Sequence, residues 1–211
     1  MNTAFDLEWV YSRFNDQSGN HIGSRDRGDK DLNPDIKTKD KLKPAAVLIP
    51  VVERPSGPTI LFTKRTDTLS VHAGQISFPG GRVEEYDTSH EDTALRETEE
   101  EIGLPRDQIE ILGRLDDYIA RTNFRITPIV AAVSPPFELK LDPIEVAEAF
   151  EVPLSFFLDP TNHQRHLCIE HGKERHVYAM PYQDYYIWGI TAGMLFNFYE
   201  FLIGKSEVRE C

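Results

Sequence analysis

The chain has 211 residues, of which 40% are hydrophobic and 27% charged, as expected for one α/β domain with an appendage. Its formal net charge of −12 argues against a nucleic-acid-binding protein, which would normally carry a basic face. Cys168 and Cys211 give neither a disulfide framework nor a zinc-ligand spacing. Because no signal-peptide pattern or membrane-spanning apolar run is present, we expect a cytoplasmic protein that does not insert in a membrane.

Residues 1–42 are predicted to form an N-terminal extension, followed by the main domain over residues 43–211. Phe5 and Trp9 lie near helical spacing and predict a short helix within residues 1–14. Residues 15–42 are polar and rich in turn formers, which predicts a loop or a poorly ordered linker.

The main domain shows short apolar segments typical of strands and two helical segments. Strands are predicted at 45–52, 59–65, 109–115, 124–133, 145–152, 165–169 and 176–180. Pro50 suggests that the first strand is an edge strand or contains a bulge, and Gly172 marks a hairpin between the last two. A helix over 189–204 closes the domain. Because strands and helices do not alternate regularly, the expected fold class is α+β, as a mixed sandwich.

The segment 88–103 is predicted to be a helix with one face that packs on the core and one acidic face. Thr88 and Glu91 match a capping box, and Gly103 suits the residue that follows a helix. One arc should pack on the core and a second should present acids, while Glu99 points elsewhere. The core arc contains Ala94, Leu95, Thr98 and Ile102, and the acidic arc contains Glu97, Glu100 and Glu101.

The position of these acids favours a bound cation over a merely solvated face. Like charges at i,i+4, here Glu97 and Glu101, destabilise a helix by roughly 0.2–0.5 kcal/mol. Acids in the last turn also oppose the helix dipole, which costs roughly 0.3–1 kcal/mol each. A divalent cation would reverse both effects, and carboxylates suit Mg²⁺ or Mn²⁺. A loop at Gly80-Gly81 precedes the helix and could bring backbone close to a ligand.

These residues resemble the Nudix box, a glycine, a spaced acid and the pattern R-E-U-x-E-E-x-G-U. Gly81, Asp87 and the segment 96–104 carry the resemblance, although eight residues, not seven, separate Asp87 from Arg96. It implies the Nudix α/β/α sandwich with a mixed sheet and hydrolysis of a nucleoside diphosphate linked to another moiety. It also implies that Glu97 and Glu101 are the principal metal ligands. Further implied roles are Glu100 as a third ligand or as an acid that supports the ligands without binding the metal, Arg96 as an ion-pair partner of the glutamates, and the Gly80 carbonyl as an additional ligand.

The stretch ahead of the box is similar to the additional signature of the coenzyme A pyrophosphatase subgroup. Residues 61–66 and 74–81 carry this similarity, and Ser70 stands where the subgroup has an arginine. The resemblance implies that coenzyme A is cut at its diphosphate into 3′,5′-ADP and phosphopantetheine. Other substrates kept open are ADP-ribose, a dinucleotide such as NADH, or a nucleoside triphosphate. A catalytically silent nucleotide-binding module is a further alternative.

Several residues outside the helix are candidates for substrate contacts or proton transfer. Arg65 is the first candidate for a phosphate contact, with a surface ion pair as its alternative, and Arg82 and Gly81 are further candidates. Tyr118 and Trp188 could stack on a base but are more often core residues, and His72 is taken as a loop or packing residue. The general base stays open among Glu100, Glu145, Glu148 and a metal-bound hydroxide. The expected partner is a small nucleotide, and a homodimer is possible.

Overall fold

A computed structural model of the protein describes residues 5–16, 26–37, 41–68, 73–170 and 172–204. The helices are α1 Leu7–Asp16, α2 His90–Ile102, α3 Leu154–Leu158 and α4 Gly189–Leu202. The first strands are β1 Arg27–Gly28, β2 Lys43–Val52, β3 Thr59–Arg65, β4 Ile76–Ser77, β5 Gly80–Arg82 and β6 Ile109–Arg114. The others are β7 Tyr118–Ala120, β8 Phe124–Val133, β9 Val146–Pro153, β10 Gln164–Glu170, β11 Lys173–Tyr182 and β12 Tyr185–Trp188.

A large mixed sheet forms the centre of the described structure. Its strand order is β1-β7-β8-β2-β3-β4, with β5 paired to β2, β6 to β8 and β9 to β3. The strands β2 and β8 run parallel along their whole length. A smaller antiparallel sheet has the order β10-β11-β12.

The two long helices cover opposite faces of the large sheet. Ala46 and Leu48 of β2 form a buried cluster with Ala94 of α2. Ala45 and Ile49 alternate to the other face and belong to the main core with the apolar side of α4. The predicted α+β sandwich with a mixed sheet is therefore confirmed.

The structure begins α2 one residue later than the capping pattern predicts. Ser89 is the N-cap, and its hydroxyl accepts a hydrogen bond from the Asp92 backbone N–H. Asp92 in turn accepts from the backbone and hydroxyl of Thr88, so the predicted Thr88–Glu91 box does not form. At the other end Gly103 has the left-handed φ of 67° expected of it.

Two predictions about the backbone differ from the structure, because both depend on which strands pair in the sheet. Gly80-Gly81 is not a loop but part of β5, which pairs with β2 from Ala45 to Val47. Of the two alternatives predicted from Pro50, the edge strand is wrong, because Pro50 lies in a central strand. It falls between the residues of β2 that pair with β5 and those that pair with β3, so it interrupts neither of these ladders.

The described part of the N-terminal segment is built into the fold, unlike the predicted linker. Val10 and Phe14 of α1 are core residues, and the Phe14 ring lies 4.5 Å from that of Phe201 in α4. Strand β1 joins the edge of the large sheet by pairing in parallel with β7. Residues 17–25 and 38–40 lie outside the described residues, so the linker prediction is not tested there.

The hairpin about Gly172 and the closing helix are present as predicted, with β10 and β11 in antiparallel register. The short elements β7, β12 and α3 had not been predicted, since each is too short for its periodicity to be read. Ser70, His72 and Cys211 lie outside the described residues. Within the described part of the chain, none of the helices has the length and apolarity needed to cross a membrane.

Candidate active site

The acidic side of α2 lies directly against the two glycines of β5. A Cβ atom on Gly81 would come within 2.5 Å of the Glu97 carboxyl carbon. Gly80 has φ 151°, and a Cβ there would lie 2.5 Å from the Ala46 carbonyl oxygen. Both positions therefore require glycine, because Gly81 leaves room for the Glu97 carboxylate and Gly80 leaves room for the backbone of β2.

Glu101 is a buried carboxylate with incomplete hydrogen bonding. Its exposed fraction is 6%, the Gly80 N–H donates to it, and its Oε2 atom has no hydrogen-bond partner. Burial, followed by the nearby carboxylate of Glu97, raises the pKa of Glu101 to about 8, and the charge of Arg65 opposes this. A buried acid of this kind is costly unless a cation or a proton compensates its charge.

Arg96 connects the acids of α2 to the loop that precedes the helix. Its Nε and Nη2 donate to the two oxygens of Asp87 at 2.8 and 2.9 Å. Its Nη1 donates to Glu97 at 2.8 Å and to Glu100 at 3.1 Å. The ion pairs expected between Arg96 and the glutamates are therefore present, and Asp87, the spaced acid of the box, anchors them.

The remaining acids of the run differ in their surroundings. The side chain of Glu100 is 59% exposed, and its contact with Arg96 lies at the rim of the site. Glu99 forms a 3.5 Å ion pair with Arg106 instead, so it points away from the other three, as predicted. The core arc differs from prediction at Leu95, which is only half-buried.

Of the two later acids considered as bases, the structure brings Glu145 to this cluster. Its carboxylate lies 3.7 Å from the Arg65 guanidinium, and its negative charge contributes to the raised pKa values of Glu97 and Glu101. Glu148 instead accepts a 2.5 Å hydrogen bond from the Tyr185 hydroxyl. The Nε of Arg65 is buried and has no hydrogen-bond partner.

A cavity of about 400 Å³ opens on the α4 face of the sheet, beside Gly80 and Gly81. Arg65, Arg82 and Arg121 lie in its wall, so three cationic side chains meet in one cavity of an acidic protein. Its apolar lining includes Val47, Ile76, Phe124, Ile190 and Met194.

The two aromatic candidates for stacking on a base differ in their access to this cavity. Trp188 is part of its wall, whereas Tyr118 is 4% exposed and donates its hydroxyl hydrogen to Asp29, which leaves no free ring face for a base. Sequence reasoning missed Arg121, Asp29 and Asn33 as residues of this wall. No motif or spacing marks them, because only the sheet order brings them there.

The acidic cluster fits a hard divalent cation in its chemistry. Its donors are carboxylate oxygens, the Oε2 of Glu101 is unpartnered, and the pKa of Glu97 is raised, first of all by burial. Among the described residues, no group of three acidic, histidine or cysteine side chains is already arranged as a complete metal site. A cation would therefore have to draw Glu97 and Glu100 partly away from Arg96.

A mixed sheet between helices, with a glutamate helix packed on a glycine strand, presents an acidic cluster suited to cations rather than to a nucleic acid. The NUDIX domain model matches residues 42–170. An uncharacterised Nudix hydrolase named NudL from Photorhabdus laumondii is 40% identical over 162 residues, covering 77% of this chain and 86% of that protein. One from Escherichia coli K12 is 38% identical over 151 residues, covering 72% and 78%. The chain therefore belongs to the Nudix family and is a Nudix hydrolase.

The solved structures that are similar to this chain are more distant in sequence. An Ap4A hydrolase from C. elegans has 18% identity and a TM-score of 0.46, with 53% of this chain and 80% of that one covered. A Nudix hydrolase from M. smegmatis, RenU, has 23% identity and a TM-score of 0.47, with 55% and 73% covered. At this identity the likeness concerns the fold alone.

Proposed function

We propose that this Nudix hydrolase cleaves the diphosphate bond of coenzyme A or its derivatives, using Mg²⁺ or Mn²⁺. One observation carries the proposal. The acidic cluster of α2 and the arginine-containing cavity meet at Gly80 and Gly81. A substrate in the cavity would thus place its diphosphate beside the carboxylates that hold the cations.

The chemistry of a diphosphate explains why both parts are needed. Its negative oxygens repel a nucleophile, and bound divalent cations supply charge neutralisation and activation of water. Glu97 and Glu101 would hold the cations, with Glu100 at the rim. Arg96 keeps Glu97 over Gly81, so the carboxylates are oriented before substrate arrives.

The protein supplies two further groups next to the cluster. Arg65 lines the cavity and carries a buried Nε without a partner, which suits a phosphate oxygen as acceptor. Glu145 lies within ion-pair distance of Arg65 and is our choice for the general base, because Glu148 is engaged by Tyr185.

The choice of coenzyme A rests on where its signature residues lie. Arg65 and the segment 75–78 of the upstream signature all line the cavity, together with Gly80 and Gly81. The stretch that resembles the coenzyme A pyrophosphatase subgroup is therefore in position to contact the substrate. Much of the remaining cavity wall is apolar, as is usual for cavities that bind small molecules.

A substrate panel tests the proposal. We expect the full chain with Mg²⁺ or Mn²⁺ to convert coenzyme A to 3′,5′-ADP, followed by chromatography, faster than it cleaves ADP-ribose, NADH or nucleoside triphosphates. Much faster turnover of ADP-ribose or NADH would overturn the coenzyme A assignment. Binding of these nucleotides without any cleavage would instead indicate a silent module. Chelation with EDTA is the control for metal dependence.

A further inference from the structure

One end of the cavity is built by the N-terminal segment rather than by the matched family domain. Asp29 and Asn33 line this end, although the NUDIX domain model begins at residue 42. Arg121, which follows β7, lines the same end. The described part of the N-terminal segment therefore completes a wall of the cavity.

Asp29 fixes the chain around Arg121 by several contacts. Its carboxylate accepts hydrogen bonds from the Tyr118 hydroxyl at 2.8 Å and from the Arg121 backbone N–H at 2.9 Å. The Arg121 guanidinium lies 3.9 Å from the same carboxylate. The two hydrogen bonds hold the backbone at Arg121, and the guanidinium stays within ion-pair distance of the same carboxylate, so Asp29 positions Arg121.

Tyr118 links this arrangement to the core of the protein. It is buried, and a Cβ on Gly193 of α4 would come within 2.4 Å of its hydroxyl oxygen. Burial, followed by the charge of Asp29, raises the pKa of Tyr118 well above its ordinary value, so it stays a hydrogen-bond donor. Asp29 is thus held from one side by a side chain that α4 locks in place.

Asn33 fastens the same segment to the small sheet. Its side-chain amide donates to the His176 carbonyl at 2.9 Å and accepts from the His176 N–H at 2.8 Å. Its Nδ2 also donates to the Asp29 carbonyl at 3.0 Å. The segment therefore bridges β7 and β11, and the far end of the cavity is a rigid wall.

The sheet registers show that this wall lies across the sheet from the glycine strand β5. Arg82 of β5 pairs with Ala45, Ala45 with Ile126, and Ile126 with Tyr118. Three strand spacings put the backbones of Arg82 and Tyr118 roughly 14 Å apart across the sheet. Arg121 follows three residues after Tyr118, so a nucleotide whose diphosphate lies at Gly81 would extend across these strands to reach it.

We propose that Arg121, positioned by Asp29, is a binding site for a second phosphate of the substrate, a phosphomonoester that is not cleaved. An arginine suits this group because its guanidinium matches phosphate oxygens in two-point hydrogen bonds. The proposal rests on the proposed function, since it assumes a nucleotide substrate in this cavity. It assigns to the N-terminal segment the selection of nucleotides that carry such a phosphate.

The test measures binding, so it does not depend on turnover. Adenosine 3′,5′-bisphosphate and AMP differ only by the 3′-phosphate, and calorimetry with Mg²⁺ gives the Kd of each for the full chain. We expect the wild type to bind the bisphosphate more tightly, and Arg121→Gln to reduce that preference roughly ten- to hundredfold. Affinity for AMP should change much less.

Two further variants separate positioning from folding. Asp29→Asn keeps its size but has one acceptor oxygen for two donors, and should lower the same preference while Arg121 is still present. Arg114→Gln, which removes a surface ion pair with Glu91, is the matched control and should leave it unchanged.

The possible outcomes test the phosphate site at Arg121 independently of the coenzyme A assignment. Equal binding of the two nucleotides by the wild type, no measurable binding of either, or an unchanged preference in Arg121→Gln would overturn it. A preference that depends on Arg121, found in a protein that does not cleave coenzyme A, would retain this site and reject the proposed substrate.

Discussion

Asp87 and Arg96 form a two-point ion pair in which the arginine Nε and Nη2 donate to the two carboxylate oxygens at 2.8 and 2.9 Å. The Asp87 side chain is only 1% exposed, and Thr93 and the Glu84 backbone also donate to it. The third guanidinium nitrogen of Arg96, Nη1, donates to Glu97. Asp87 therefore positions the Glu97 carboxylate through Arg96, without contacting it.

Asp87→Asn should therefore weaken both folding and turnover. Asparagine has one acceptor oxygen and no charge, so the two-point pair with Arg96 is lost although Glu97 and Glu100 still neutralise the arginine, and the loss of charged hydrogen bonds costs about 1.5–3 kcal/mol. We expect the free energy of unfolding, measured by urea denaturation, to fall by this order. Asp107→Asn, at an exposed position, is the control. Equal stability of the two variants would show that the pair does not organise the site.

The same pair predicts the behaviour of the protein in acid. The hydrogen bonds from Arg96, opposed by burial, hold the pKa of Asp87 well below the ordinary value of an aspartate. A lowered pKa in the folded state gives stability that is present above the unfolded pKa and is lost as the pH falls below it. The stability difference between wild type and Asp87→Asn should thus shrink below about pH 4. A difference that is constant from pH 7 to pH 3 would contradict this.

Gly81→Ala tests the close contact between β5 and the acidic cluster. The added Cβ would lie 2.5 Å from the Glu97 carboxyl carbon, so the carboxylate must move. We expect turnover to fall roughly tenfold or more, since misplacement by about 1 Å can cost a hundredfold. Circular dichroism and the Tm show whether the fold is retained. Undiminished turnover would mean that Glu97 has no fixed role over Gly81.

Glu101→Gln should remove most turnover without unfolding the protein. The carboxylate is buried with an unpartnered oxygen, and its raised pKa means that ionisation costs stability as the pH rises from 4.5 to about 8. In EDTA at pH 9 the variant should therefore have a Tm no lower than that of the wild type. Glu99→Gln is the matched control, because Glu99 pairs with Arg106 outside the cluster. Full turnover in Glu101→Gln would reject the metal assignment.

A pair of variants on β9 and the residue before it distinguishes the two later base candidates. Glu145→Gln should lower kcat by about a hundredfold or more if Glu145 takes the proton from water. Glu148→Gln should have a much smaller effect, because its carboxylate is engaged by Tyr185. The reverse order of effects in steady-state kinetics would assign the base to Glu148, and small effects in both would leave Glu100 or a metal-bound hydroxide.

The sequence was sufficient for local features whose signal lies within one element. The extent of α2, its glycine stop at Gly103 and the separation of Glu99 from the other glutamates all follow from helical periodicity. The hairpin at Gly172 and the strands β3 and β8 were likewise predicted from alternation and turn residues. Local failures, such as Ser89 replacing Thr88 as the N-cap, arose where neighbouring residues compete for the same backbone donors.

What the sequence by itself determined is an α+β Nudix domain with an array of acids on one helix. Only the tertiary structure decided that Gly81 makes room for Glu97, that Asp87 anchors Arg96, and that Asp29 and Arg121 close the cavity. The physical reason is the distance along the chain over which each kind of interaction acts. Periodicity and capping act over a few residues, whereas these contacts join residues from different elements, and strand order and side-chain packing bring them together.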